Sequence, residues 1–227
     1  RWLKTRNRDA IILASKVAGP GHGWITPPLR GGKTGLDRHH IMRAVEASLR
    51  RLDTDYIDLY QTHWPDHDLP YEHTLEPLTE LIEEGKVRYI GITTSRARQY
   101  EEFEKVMRDE DLDFVQLNYS VEQRESASRL MPLAADRGMA VMINRAFGGG
   151  RIFNAVGDQP VPDWAGEFDC SSWAQLLLKY ALSHPAATVA IPGMTKVRHV
   201  EDNVLAGHGR LPDAGERKKI EAFYDAL

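Results

Sequence analysis

The sequence predicts an α/β fold built on a parallel sheet. Two observations carry this. Short apolar runs of strand length alternate with longer stretches whose apolar residues recur at three- and four-residue steps. No linker, composition shift or low-complexity tract divides the chain, which reads as one domain over residues 1–227. Alternation of this kind implies right-handed βαβ units. About six such units fit, where a closed barrel of this type needs eight.

The elements follow in order. Residues 10–16 (AIILASK) form a continuous apolar run of strand length, followed by a Gly- and Pro-rich loop from Gly19 to Gly35. Asp37 can cap a helix in which Ile41, Ala44, Val45, Ser48, Leu49 and Leu52 share a face. Residues 56–62 are a second strand, stopped by His63-Trp64-Pro65. Leu75, Leu78, Leu81 and Ile82 line a helix closed by Gly85. A strand at 87–93 leads to a helical face of Tyr100, Phe103, Val106 and Met107. Strands at 114–120 and 139–147 flank a helix at about 124–137. Trp173, Leu176, Leu177, Tyr180 and Ala181 mark another amphipathic helix. The last strand is 187–192, and short helices follow near 196–205 and 213–227.

Composition narrows the function. A net charge of −4 with both signs interspersed argues against a nucleic-acid footprint or a polybasic membrane patch. No apolar run approaches the roughly 18 residues of a membrane span. The expected partner is a small molecule. A lone cysteine, Cys170, excludes an internal disulfide and Cys-cluster metal sites, and suits a reducing, cytoplasmic setting. The chain opens at Arg1 without an initiator Met or a signal-peptide core, and an upstream segment of about two β/α units is expected. Without it, the first and last visible strands would have unpaired edges and exposed apolar side chains.

In parallel β/α architectures the reacting groups collect at the C-terminal ends of strands. Those positions hold Lys16, His63, Thr93 and Thr94, Gln116 and Asn118, Asn144 and Arg145, and Gly193. Lys16 and His63 end consecutive strands and are expected side by side. Such a pair suits carbonyl chemistry. Burial lowers a lysine pKa, and a neutral imidazole can donate a hydrogen bond to a carbonyl oxygen. Either residue could equally be a solvated charge or a structural histidine.

From Ser48 onward the residues match a known pattern. Ser48-Leu49-Arg50-Arg51-Leu52, Thr54-Asp55-Tyr56-Ile57-Asp58-Leu59-Tyr60-Gln61 and His63-Trp64-Pro65-Asp66 resemble the central signature of the aldo-keto reductases. Upstream, Ile12-Leu13-Ala14-Ser15-Lys16-Val17 is similar to the strand that carries that family's lysine. Downstream, residues 85–94 (GKVRYIGITT) match the approach to the nicotinamide, and Ile191-Pro192-Gly193 with Lys196, Asp202 and Asn203 resembles the C-terminal cofactor signature.

The resemblance implies a (β/α)8 barrel, incomplete here by its first two strands, that passes hydride from NADPH to an aldehyde or ketone. It assigns catalytic roles to Lys16, which lowers the pKa of a tyrosine, and to His63, which orients the carbonyl. The family's tyrosine acid and aspartate would precede Arg1, and Tyr60 and Tyr119 read as packing residues. It also assigns the nicotinamide carboxamide to Thr93, Thr94 and Gln116, with Asn144 alongside. The pyrophosphate falls to Gly148 and Gly149 with Gly150, the 2′-phosphate to Gly193, Thr195, Lys196 and His199, and adenine to Asp202 and Asn203. Trp64 and Trp24 are expected in the substrate pocket. No metal is expected.

Departures qualify this. The family's Tyr-Ser-Pro-Leu element reads Asn144-Arg145-Ala146-Phe147, so the aromatic that stacks on nicotinamide is gone. Gly193 replaces a frequent basic residue and His199 an arginine, which weakens NADP against NAD, and at the adenine Asp202 replaces the commoner glutamate. Residues 164–175 (WAGEFDCSSWAQ) are similar to a less typical bacterial branch, some members of which carry export signals. Two competing functions are a non-catalytic, cofactor-binding regulatory protein of the same fold and an aldolase using Lys16 as a Schiff-base nucleophile. Negligible reductase turnover is expected of the chain by itself, because loss of a general acid costs about 10²–10⁴-fold.

Overall fold

The computed structural model describes residues 2–19, 35–63 and 71–227. Six strands alternate with helices: β1 (Ala14–Val17), α1 (Arg38–Leu52), β2 (Ile57–Thr62), α2 (Tyr71–Glu83), β3 (Val87–Thr93), α3 (Tyr100–Asp109), β4 (Phe114–Asn118), α4 (Glu125–Asp136), β5 (Ala140–Asn144), α5 (Arg151–Val156), α6 (Trp173–Leu182), β6 (Ala187–Ala190), α7 (Val197–Leu205) and α8 (Ala214–Asp225). β1, β2 and β3 run parallel to one another, as do β5 and β6, and the fold is α/β as expected. The chain forms two compact units, Arg1–Thr94 with Asp109–Val115, and Ser95–Arg108 with Gln116–Leu227.

In the first unit, α1 begins where the Asp37 carboxylate accepts the His40 N–H at 2.9 Å. It buries Ile41, Val45, Ser48 and Leu49, and ends at Asp53 in a left-handed conformation. Every residue of β2 is buried, including Asp58, Gln61 and Thr62. A fully buried parallel strand suits a layer covered on both faces. Residues 10–13 stay outside β1, contrary to the expected start at 10, because the Asn7-capped 3-10 turn at Arg8–Ala10 delays pairing. The β1 register then runs Ala14 to Leu59 through Val17 to Thr62.

A buried carboxylate ties the strand starts of this unit. Asp58 Oδ2 accepts from the Leu13 N–H at 2.9 Å and from Arg8 at 2.8 Å, while Arg88 reaches Oδ1 at 3.0 Å. Arg8 and Arg88 also pack against the Tyr56 ring, 3.9 and 4.3 Å from its centroid. On β3, Gly91 permits close approach of the chain: a Cβ there would run into the Phe114 carbonyl oxygen.

The second unit buries Tyr100, Phe103, Val106 and Met107 of α3, and Leu130, Met131, Leu133 and Ala134 of α4. β5 pairs with β6 across an irregularity at Val141/Met142, where the Thr188 hydroxyl accepts the Val141 N–H at 3.0 Å. The stretch between β5 and α6, to which the sequence pattern assigned no element, contains α5 and a 3-10 segment, Asp163–Phe168. Phe168 and Ala165 are buried there, so local apolar burial supports structure that periodicity did not signal. Ile12 before β1, Val189 on β6 and Ile191 just after it are exposed apolar side chains.

Candidate functional site

In the first unit, parallel pairing puts Lys16 level with Gln61, and Gln61 level with Gly91. The row one step on begins where the His63 N–H donates to the Val17 carbonyl at 2.8 Å. Lys16 and His63 therefore leave neighbouring strands at the same end of the sheet. Partner residues in register share a face, and residues two apart on one strand do too. Lys16 and Gln61 accordingly share a face, and His63 follows directly on the end of β2.

Lys16 is half-buried, and burial lowers its pKa from the ordinary lysine value. It also lines a cleft of about 1140 Å³ whose other wall is α1. Gln61 is fully buried, and neither polar atom of its carboxamide has a hydrogen-bond partner among the described residues. Thr93 and Thr94 are buried at the end of β3. Tyr60 faces the α1 side, and burial pushes its phenol up to about 12, partly offset by Ser48 and Arg51. That environment fits packing, as expected of Tyr60. Trp24 and Trp64 lie outside the described residues.

In the second unit, Gln116 is buried near the end of β4, with no partner for Oε1 among the described residues. Asn118 is fixed from three sides. The Tyr100 hydroxyl donates to its Oδ1 at 2.9 Å, its Nδ2 donates to Gln123 at 3.3 Å, and its carbonyl accepts from Ser126 at 2.7 Å. Tyr119 stacks on Tyr180, with ring centroids 5.4 Å apart, so it too is packing.

Beyond β5, Asn144 is half-buried and Arg145 is exposed with φ +53°. A left-handed arginine is uncommon and costs conformational energy. Gly148, Gly149 and Gly150 follow with φ of 57°, 72° and 94°, values that favour glycine. A Cβ on Gly149 would lie 2.9 Å from the Arg145 guanidinium, so these residues pack together.

The C-terminal signature forms the start of α7. Thr195, Lys196 and His199 are exposed around it, with Lys196 at the N-cap. Arg198, which the motif comparison passed over, is exposed there as well, 3.4 Å from the His199 ring. Three basic side chains in four positions were a readable signal. Gly193 is not forced by space, since a Cβ there would meet nothing within 4 Å. Asn203 is buried. Asp202 is held by α6: Ser172 Oγ donates to its Oδ2 at 2.9 Å and Gln175 Nε2 to its Oδ1 at 2.6 Å. Among the described residues, no group of His, Cys, Asp and Glu could hold a metal ion, and no helix is long and apolar enough to cross a membrane.

A parallel α/β chain with a lysine and a histidine at adjacent strand ends invites comparison with known proteins. The model of the aldo/keto reductase family matches residues 1–225. The aldo-keto reductase YhdN of Bacillus subtilis is 37% identical over 140 residues, covering 60% of this chain and 38% of that protein. The NADH-specific methylglyoxal reductase of Escherichia coli is 29% identical, covering 93% of this chain and 74% of that protein. Among solved structures, the holo form of the aldo-keto reductase AKR11C1 from Bacillus halodurans superposes with a TM-score of 0.73 at 28% identity. It covers 97% of this chain and 74% of its own. Such reductases are (β/α)8 barrels that use nicotinamide cofactors on small carbonyl compounds. The chain belongs to the aldo/keto reductase family.

Proposed function

We propose that this chain carries the carbonyl-reducing chemistry of its family, with NADPH as cofactor and an aldehyde or ketone as substrate. The observation that carries this reading is the Lys16–His63 pair, at the same end of adjacent strands, with the lysine amine partly withdrawn from water. A neutral His63 imidazole can donate a hydrogen bond to a carbonyl oxygen and so polarise it. A lysine whose pKa is lowered by burial gives up its proton more readily than a solvated one.

The residues fit the cofactor. The Gln116 Oε1, buried and without a partner among the described residues, suits the amino group of a nicotinamide carboxamide. Asn144, in the same unit, is a further carboxamide contact. Gly148 and Gly149 allow close backbone approach to the pyrophosphate. Lys196, Arg198 and His199, with Thr195, suit the adenosine 2′-phosphate and favour NADPH over NADH. Gly193 approaches the same phosphate through its backbone, and Asp202 and Asn203 take the adenine. When bound, the nicotinamide supplies the hydride.

Tyr60 and Tyr119 are engaged in packing, and neither serves as the general acid. The purified chain is expected to bind NADPH, seen by fluorescence enhancement, and any NADPH oxidation with methylglyoxal is expected to fall on Lys16→Met. Failure to bind NADPH would remove the cofactor reading. Measurable NADPH oxidation that survives Lys16→Met would remove the roles given to Lys16 and its neighbour.

A further inference from the structure

We propose that Ser172 and Gln175 are positioning residues that aim Asp202 at the exocyclic amine of the cofactor's adenine, and so set base selectivity at the α6–α7 contact. The proposal rests on the cofactor reading above. Its physical basis is a closed set of hydrogen bonds within the second unit.

Ser172 caps α6: its Oγ accepts the Gln175 N–H at 3.2 Å and donates to Asp202 at 2.9 Å. The Gln175 side chain is almost fully buried. Its Oε1 accepts from the Ser171 N–H at 2.8 Å and from the Ser171 hydroxyl at 3.3 Å. A backbone N–H can only donate, so the carboxamide oxygen must face Ser171 and the amide nitrogen must face Asp202. The orientation is therefore set by chemistry rather than by choice.

Asp202 is thus fixed by one donor on each carboxylate oxygen, and both donors come from the first turn of α6. The positive end of that helix adds to the hold on the negative charge. A carboxylate so restrained cannot swing between rotamers. Each of its oxygens still has a second lone pair available to an outside donor. A short acidic side chain pinned in this way reads an amino group where an unrestrained one would only attract cations. The bland alternative is that the same bonds merely staple α7 to α6.

The two are separated by comparing NADPH with its hypoxanthine analogue, which carries a carbonyl in place of the adenine amine. The full chain is expected to prefer NADPH by about tenfold in Kd, the worth of one hydrogen bond to a charged acceptor. Gln175→Leu and, independently, Ser172→Ala should each bring the preference close to one, while the circular-dichroism spectrum is retained. Ser172→Ala serves as the milder variant should Gln175→Leu fail to fold. A preference that persists in the folded variants, with only the melting temperature lowered, would reduce the bonds to a staple and overturn the proposal. Equal binding of both dinucleotides by the unmodified chain would overturn it too. Binding of neither would instead defeat the cofactor reading on which it rests.

Discussion

Lys179 offers the sharpest test of how the chain beyond α7 is held. Its side chain is fully buried in α6, and its ammonium donates to three backbone carbonyls, those of Phe168, His208 and Arg210, the last at 3.1 Å. A buried charge persists only when its donors are matched, and here the carbonyls replace water. The turn that presents two of them depends on Gly209, whose φ is +73° and whose added Cβ would collide with the Asp169 carboxylate. Lys179→Met removes all three donors without opening a large cavity. The Phe168 carbonyl, in the buried contact, is left unsatisfied at a cost of about 1–3 kcal/mol. The two partly exposed carbonyls regain some water and lose about 1 kcal/mol each, giving a total of about 3–5 kcal/mol. With a urea m-value of about 2 kcal/mol per molar, the unfolding midpoint should fall by about 2 M. NADPH binding should weaken in parallel, because the chain just beyond α7 loses its anchor. A variant within about 0.5 kcal/mol of the unmodified chain, the usual range of a neutral surface change, would refute the reasoning.

Three further outcomes are expected. Burial opposes ionisation of Asp58, but the Leu13 N–H, Arg8 and Arg88 outweigh it and hold the carboxyl below its usual range. Its contribution is therefore complete above the unfolded carboxyl pKa and lost as pH falls through the lower folded value. Asp58→Asn should cost about 2–3 kcal/mol at neutral pH and flatten the acid limb of a melting-temperature profile. Gly91→Ala should cost about 1–3 kcal/mol in urea unfolding, because backbone rather than a flexible side chain blocks the new methyl. Lys16 has a lowered pKa, so stability should rise with pH between its folded value and the ordinary lysine value; Lys16→Met should abolish that slope in denaturation curves taken across the alkaline range.

Much was legible before any coordinates. Short apolar runs marked the strands, and apolar residues at three- and four-residue steps marked the helices, because each element must bury apolar surface. The Asp37 cap and the Gly85 stop were readable because they satisfy orphan backbone groups within a few residues. That Lys16 and His63 end adjacent strands was legible too, because consecutive strands of a parallel β/α sheet are usually neighbours.

What escaped depends on contacts distant in sequence. The start of β1 is set by its register against Leu59, not by the apolar run that begins at Ala10. α5 and the 3-10 segment after it form because Ile152, Ala165 and Phe168 find burial, which no local period announced.

The sequence by itself determined the alternation of elements, the family and the identity of the strand-end groups, since these rest on local pattern and ordered motifs. Only the tertiary structure decided which groups are committed elsewhere. Asp202 is bound on both oxygens by α6, Lys179 is caged by carbonyls, and Gln61 and Gln116 are buried with open hydrogen-bonding capacity. The physical reason is that a polar side chain's availability depends on the partners and water around it, which the chain brings together only on folding.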